Sequence, residues 1–308
     1  MEIRVLRYFL AVAREENITA AADSLNLTQP TLSRQIRDLE DELGKTLLVR
    51  KSHKVELTQD GMRFRKRAEE ILEMVDRTTA EFTAADEGIS GDIHIGSGET
   101  RAIKRLADII RVLREQYPGI HYHLYSGNAE DVTERLDRGI LDFGIVIQPA
   151  DISKYDYINL PDKDVWGVVT RKDSTLAEKS SIKKDDLKNL PLIFSRQALS
   201  PYRTGNDLIA WFGDDFGSYD IVTTFNLVYN AAIMVESGIG YAITLDKLVS
   251  TSMASPLCFR PLEPRLESGL SLIWKKYQVF SPAAQVFIEA LENEFSGFQD
   301  LRAHKMQH

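Results

Sequence analysis

The chain has 308 residues, 43% hydrophobic and 27% charged, a composition that fits a globular protein with room for more than one structural unit. No apolar run approaches the roughly 18 uncharged residues that span a bilayer, and the opening MEIRVLRYFLAVAREENI is too interrupted by charge for an export signal, so a cytoplasmic protein that stays off the membrane is expected. A single cysteine, Cys258, excludes an intrachain disulfide and a cysteine-based zinc site, while the net charge of −8 requires any nucleic-acid contact to come from a local basic face.

Apolar residues at Ile3, Leu6, Leu10 and Val12, with Phe9 on the same broad face, predict a helix over 2–14. A break at Glu16-Asn17 precedes a short second helix over 19–25, whose small side chains permit close packing, with Asn26 as its stop. A third helix runs over 28–43, with Thr28 as N-cap, Pro30 in the first turn and Gly44 beyond the end. Residues 46–57 are β-branched and apolar on both sides of a polar RKSHK turn and predict a small hairpin, or wing. Thr58 then caps a helix to about residue 87, roughly 45 Å long at 1.5 Å per residue. Its apolar positions Phe64, Ala68, Ile71, Val75, Thr78 and Phe82 follow heptad spacing, which predicts pairing with a second copy of the chain.

From Gly91 onward strands and helices alternate. Strands are expected at 92–96, 120–125, 143–147, 165–170, 192–194, 221–225, 241–244 and 269–274. Helices are expected at 101–117, 129–138, 202–212, 227–237 and 282–298, and the tail from Leu301 is polar. This alternation predicts parallel sheets covered by helices, in two lobes joined by crossings at Pro161-Asp162 and at 261–264.

The third helix carries an apolar stripe of Leu32, Ile36, Leu39 and Leu43. The opposite face presents Thr31, Arg34 and Asp38, flanked by Pro30, Ser33 and Arg37. In a helix-turn-helix the N-terminal half of such a helix enters the major groove. There Gln29 suits adenine, Arg34 suits guanine, and Pro30 and the Thr31 methyl suit a thymine methyl, while Ser33 can hold a phosphate or base edge. Arg50, Lys51, His53 and Lys54 on the wing suit the DNA backbone or the minor groove, and Arg63, Arg65, Lys66 and Arg67 suit flanking phosphates. Any one of these basic residues alone is more simply a solvated charge. The succession of helix-turn-helix, basic wing and pairing helix is what points to DNA.

The segment AAADSLNLTQPTLSRQIRDLEDELGKTLLVR, followed by LTQDG, strongly resembles the LysR-type transcriptional regulators, most closely over residues 1–65. That resemblance implies a multidomain protein with an all-α winged helix-turn-helix head (1–58), a linker and dimerisation helix (59–90) and a two-lobed α/β effector-binding domain (91–308) similar to periplasmic solute-binding proteins. Lobe I would cover about 91–161 and 266–308, and lobe II about 162–265. It implies double-stranded promoter DNA and a small-molecule effector as partners, with RNA polymerase as a further one. It also implies a homo-oligomer, a dimer through the linker helix and a tetramer built from dimers. Gln29, Pro30, Thr31, Ser33 and Arg34 fall at the family's DNA-reading positions, with Arg50 and Lys54 on the wing. Leu48 departs from the family's usual Phe but stays apolar, and the RKSHK turn is also a departure.

A two-lobed α/β domain opens a cleft at the carboxyl ends of its strands. Ser97-Gly98-Glu99-Thr100, between a strand and a helix, places hydroxyls and free N–H groups there, similar to where the family holds effectors. Residues 125–128 and Ile147-Gln148 complete the first lobe, and Ser195, Arg196, Asn226 and Thr244 face them from the second. Ser97 and Thr100 read equally as helix caps. Glu99 reads first as a complement to its own helix dipole and otherwise suits a cationic or amino-bearing effector. Arg196 reads as a surface or interlobe ion pair, or as the partner of an effector carboxylate. His121 and His123 share a strand face without an evident third metal ligand, and Cys258 reads as a packed thiol. No cofactor loop or nucleophile–base pair is present in the sequence, so no cofactor and no enzyme are expected. The rival readings are a solute-binding protein and a metabolic enzyme with an accessory DNA-binding head.

Overall fold

The computed structural model describes residues 1–51, 54–83, 88–199 and 206–295. The chain forms two compact units, 1–85 and 86–308.

In the first unit, α1 (Ile3–Glu15) ends where Glu16 turns left-handed at φ 49°. Asn17 then starts α2 (Ile18–Ser24), its Oδ1 accepting the N–H groups of Thr19 and Ala20 at 2.8 and 3.1 Å. Asn26, at φ 53°, makes the turn into α3 (Gln29–Leu43). Thr28 caps α3, and Gly44 closes it at φ 63°, a conformation that glycine adopts without strain. The wing is an antiparallel pair, β1 (Leu48–Arg50) and β2 (Val55–Leu57), with Leu48 opposite Leu57. The entry to β1 is tied to α3, because Glu40 Oε1 accepts the N–H groups of Leu47 and Leu48 at 2.6 and 3.0 Å. Ser52 and His53 of the predicted turn lie outside the described residues.

Thr58 starts α4 (Gln59–Thr83), its hydroxyl accepting the Gly61 N–H at 2.9 Å. A Cβ on Gly61 would fall well inside contact distance of the Leu47 carbonyl, so only glycine lets the helix begin this close to the wing. The predicted seam divides in two. Ala68 is fully buried with Leu6 and Leu72 on the α1 side, and Phe64 meets Phe9 edge-on at 5.0 Å. These positions belong to the head's own packing. Ile71 and Met74 remain 38% and 44% exposed, and Thr78 is exposed as well. The Phe82 side chain and residues 84–87 lie outside the described residues, so α4 is described over 25 residues, about 37 Å.

The second unit runs β3 (Gly91–Ser97), α5 (Ile103–Gln116), β4 (Ile120–Ser126), α6 (Ala129–Asp137), β5 (Phe143–Ile147) and β6 (Tyr155–Arg171). It continues through β7 (Leu192–Ser195), α7 (Asp207–Phe212), β8 (Ile221–Phe225), α8 (Val228–Glu236), β9 (Tyr241–Leu245), β10 (Leu257–Pro261), β11 (Glu267–Lys275) and α9 (Pro282–Phe295). Residues 202–205 of the predicted helix over 202–212, residues 296–298 of the last helix and the tail with His304 and His308 lie outside the described residues.

The sheets are mixed, where parallel sheets were expected. β3 runs parallel to β4 and β5, and β7 runs parallel to β8 and β9. β11 and β6 are antiparallel to their neighbours, and β10, not predicted from the sequence, pairs antiparallel with β6. The 17-residue β6 serves both sheets. Its residues 155–160 pair with β11 in the first, and 166–169 pair with β9 in the second. Pro161 sits where the β11 ladder is interrupted, between Leu160, paired with Leu270, and Asp164, paired with Ser268, so its missing N–H costs no ladder hydrogen bond. The expected crossing at Pro161-Asp162 is therefore one uninterrupted strand. Each lobe has its own core, one around Ile95, Phe143, Leu272 and Phe287, the other around Val168, Phe194, Phe212 and Ile243. Cys258 is buried on β10.

Candidate DNA-reading face and effector cleft

The amphipathic pattern of α3 sorts its side chains. Leu32, Ile36 and Leu39 are buried against α1 and α2, while Gln29, Pro30, Thr31, Arg34 and Arg37 are exposed. Arg34 has 82% of its side chain exposed and only a loose 3.9 Å approach to Asp38 one turn later. Thr31 shares a 2.8 Å hydrogen bond with Thr28 at the cap, which leaves its methyl as the free feature. Ser33 was expected to meet DNA but is 8% exposed, and its hydroxyl accepts from Arg50 Nη1 at 3.0 Å. Its position on α3 turns it toward the wing, so it holds Arg50 beside α3. Lys54 is exposed and pairs with Glu16 at 2.8 Å, a contact that raises its pKa above the usual lysine value. That pair fastens the wing to the end of α1, where Val55 N–H also donates to the Glu16 carbonyl at 2.7 Å.

In the second unit the carboxyl ends of β3, β7, β8 and β9 converge, as parallel strands require of a ligand cleft. Two adjoining cavities occupy this convergence. The inner one holds about 50 Å³ and is lined by Glu99, Asn128, Trp166, Ser195, Phe225, Asn226 and Thr244, among others. The outer one holds about 290 Å³ and is lined by Ser97, Glu99, Thr100, Arg101, Tyr125, Ser126 and Lys247, among others. Gly98, Glu99 and Leu248 line both.

The predicted effector residues separate under this geometry. Ser195, Asn226 and Thr244 line the inner cavity. Ser97 and Thr100 line the outer one, but their hydroxyls are already engaged. Ser97 donates to the Gly98 carbonyl at 2.6 Å; Thr100 accepts the Ala102 N–H at 3.1 Å and donates to Asp164. Gln148 does not line either cavity, because its amide donates to Ser271 Oγ at 2.9 Å and its Oε1 accepts the Ala150 N–H. Arg196 is exposed and also lines neither cavity; its backbone N–H joins the β8 end through the Phe225 carbonyl. Trp166 and Phe225 were missed. Phe225 was next to a predicted residue, but nothing in the sequence marked Trp166, because its facing depends on β6 crossing between sheets.

Glu99 corrects the expectation that it serves its own helix. Its Oε2 accepts the N–H of Val228, the first residue of α8 on the opposite lobe. Leu227 offers α8 no side-chain cap, so Glu99 supplies that acceptor from across the cleft. Burial pushes the Glu99 carboxyl above the usual glutamate value, and the Val228 hydrogen bond opposes that rise. Beneath this turn, buried Asp164 on β6 is also raised, first by burial, against hydrogen bonds from Thr100 and the Arg101 backbone.

A family model described as the LysR substrate binding domain matches residues 86–296, and one described as a bacterial regulatory helix-turn-helix protein of the lysR family matches residues 3–62. The Hca operon transcriptional activator HcaR of Escherichia coli K12 is 30% identical over 302 residues, covering 96% of this chain and 99% of that protein. The chain belongs to the LysR family of DNA-binding transcriptional regulators. The regulator is also 29% identical to YvbU, an HTH-type transcriptional regulator of Bacillus subtilis 168, over 96% of this chain and 99% of the relative. Full-length CbnR, solved with its target DNA, shares the fold at a TM-score of 0.73 and 24% identity, over 95% of this chain and 99% of that one. Full-length BenM aligns at a TM-score of 0.52 and 25% identity, over 98% and 100%. Among the described residues, no helix of the regulator is long and apolar enough to cross a membrane, and no group of three His, Cys, Asp or Glu could hold a metal ion. His123 instead stacks on His94 at 4.7 Å and pairs with Asp92 at 2.7 Å.

Proposed function

We propose that the regulator reads double-stranded promoter DNA with Gln29, Pro30, Thr31 and Arg34 in the major groove, with Arg50, positioned by Ser33, and Lys54 on the flanking backbone. Residues 1–58 act as the head, 59–90 as the pairing helix and 91–308 as the effector domain. Two copies pair through the outward stretch of α4, and dimers join into a tetramer that works in the cytoplasm and contacts RNA polymerase at the promoter. A small molecule seated among Glu99, Ser195, Asn226 and Thr244 shifts the packing of the lobes and so the DNA affinity of the heads. No enzymatic step belongs to this reading. CbnR, of the same fold, was solved on its target DNA, which supports the first part. The observation that carries the whole is the exposed, nearly unpaired Arg34 on a buried-backed helix in a chain that also holds a cleft between strand ends. Electrophoretic mobility shift on the promoter beside its own gene tests it. A sequence-specific shift that excess unrelated DNA does not remove is expected; equal binding to unrelated DNA of the same length would refute it.

A further inference from the structure

The charge lining the cleft is uneven. Glu99 is the one charged side chain among the described residues that line the inner cavity, and the rest of that lining is apolar, aromatic or amide and hydroxyl. Its carboxylate is half-buried and meets a backbone N–H, and no cation among the described residues compensates it. A partly desolvated anion held by a neutral donor attracts a cation strongly and repels a second carboxylate, since the low local dielectric sharpens both effects. Trp166 and Phe225 form part of the same wall, and aromatic faces also favour an organic cation. The mouth is different. Arg101 and Lys247, both exposed, line the outer cavity together with Glu99. A ligand that enters with a positive end therefore finds negative charge inside and positive charge at the rim.

We propose that Glu99 determines effector class, admitting a small primary amine with its ammonium group on the Glu99 carboxylate and rejecting compounds whose buried end is a carboxylate. This rests on the effector reading above. The second carboxylate oxygen is the receiving atom, because Oε2 already serves Val228. An acidic or polar tail on the ligand is accommodated, since it lies toward Arg101 and Lys247.

Full-length protein titrated with small primary amines (butylamine, benzylamine and 4-aminobutyrate) and with the matching acids (butyrate and benzoate) tests this, read by calorimetry and melting temperature. Saturable binding and a raised melting temperature are expected from the amines and not from the simple acids. Glu99→Gln keeps an acceptor for the Val228 N–H and removes only the charge. It is expected to weaken amine binding by about tenfold or more, the scale of one charge-assisted hydrogen bond, while its unliganded melting temperature stays close to the parent's. The wild-type comparison of amine against acid stands even if that variant folds poorly. Tighter binding of the acids, or amine binding unchanged in Glu99→Gln, would overturn the assignment of class and leave the effector reading intact. Saturable binding of neither set would likewise overturn the assignment of class and leave the effector reading intact.

Discussion

Ser33 and Arg34 are adjacent on α3 and face opposite demands. One is turned inward to hold Arg50, the other projects into solvent with little to hold it. An exposed arginine with only a 3.9 Å neighbour loses little stability when truncated, because such surface pairs contribute about 0–1 kcal/mol. Its removal from a guanine costs about 1–3 kcal/mol of discrimination. Arg34→Ala is therefore expected to leave the melting temperature nearly unchanged while weakening specific DNA binding by roughly tenfold or more and flattening preference at one base pair. Competition binding against a set of single-base operator variants checks it, and unchanged preference at every position would remove Arg34 from base reading. The solvent-facing placement of Gln29, Pro30, Thr31 and Arg34 was legible in the amphipathic pattern of α3. The inward turn of Ser33 was not, because it depends on where the wing folds back.

At the scale of the helix, α4 has two apolar faces, one buried against α1 and one, with Ile71 and Met74, left exposed. Heptad spacing detected an apolar stripe but could not divide it, since a seam between two copies and a seam against α1 have the same period. Leu72, outside the predicted heptad list, is 8% exposed against Leu6 and Ala68, while Met74 is 44% exposed. Leu72→Ala is expected to cost about 2–4 kcal/mol of head stability by leaving a cavity. Met74→Glu is expected to spare the fold and shift the oligomer toward monomer by placing like charges across the pairing face. Denaturant melts together with analytical ultracentrifugation separate the two outcomes. A fully associated Met74→Glu protein would show that the pairing face lies elsewhere on α4.

For the molecule as a whole, β6 links the cleft to both lobes. It carries Trp166 into the cavity wall and Asp164 under the Ser97–Thr100 turn, where Asp164 Oδ2 is buried and finds no partner among the described residues. Burial raises this carboxyl above its ordinary 3.8, and Asp162 and Asp246 add to the rise. The folded state therefore holds this proton more tightly than the unfolded state. Its contribution to stability is fully present below the unfolded value and is lost as pH rises through the raised one. Asp164→Asn lacks that loss. The melting temperature of the variant relative to the parent is expected to climb as pH rises from about 4 to 7, and a pH series of thermal melts reads it directly. A constant difference across that range would mean that Asp164 titrates as a solvent-exposed carboxylate.

The ends of α3, the wing, the exposed N-terminal half of α3 and most strands of the second unit were determined by the sequence alone. Their signals are local: an N-cap at Thr28, a glycine at 44, an apolar period over a few turns. Strand β10, the mixed direction of the sheets and the double membership of β6 were decided only in three dimensions. Pairing partners far apart in the chain leave no periodic mark on either strand. The same holds for Glu99, which the sequence placed beside its own helix and the fold turned toward α8 on the facing lobe. A helix N-terminus satisfies its free N–H groups with whichever acceptor packing brings near, and for α8 that acceptor lies 129 residues away in the chain.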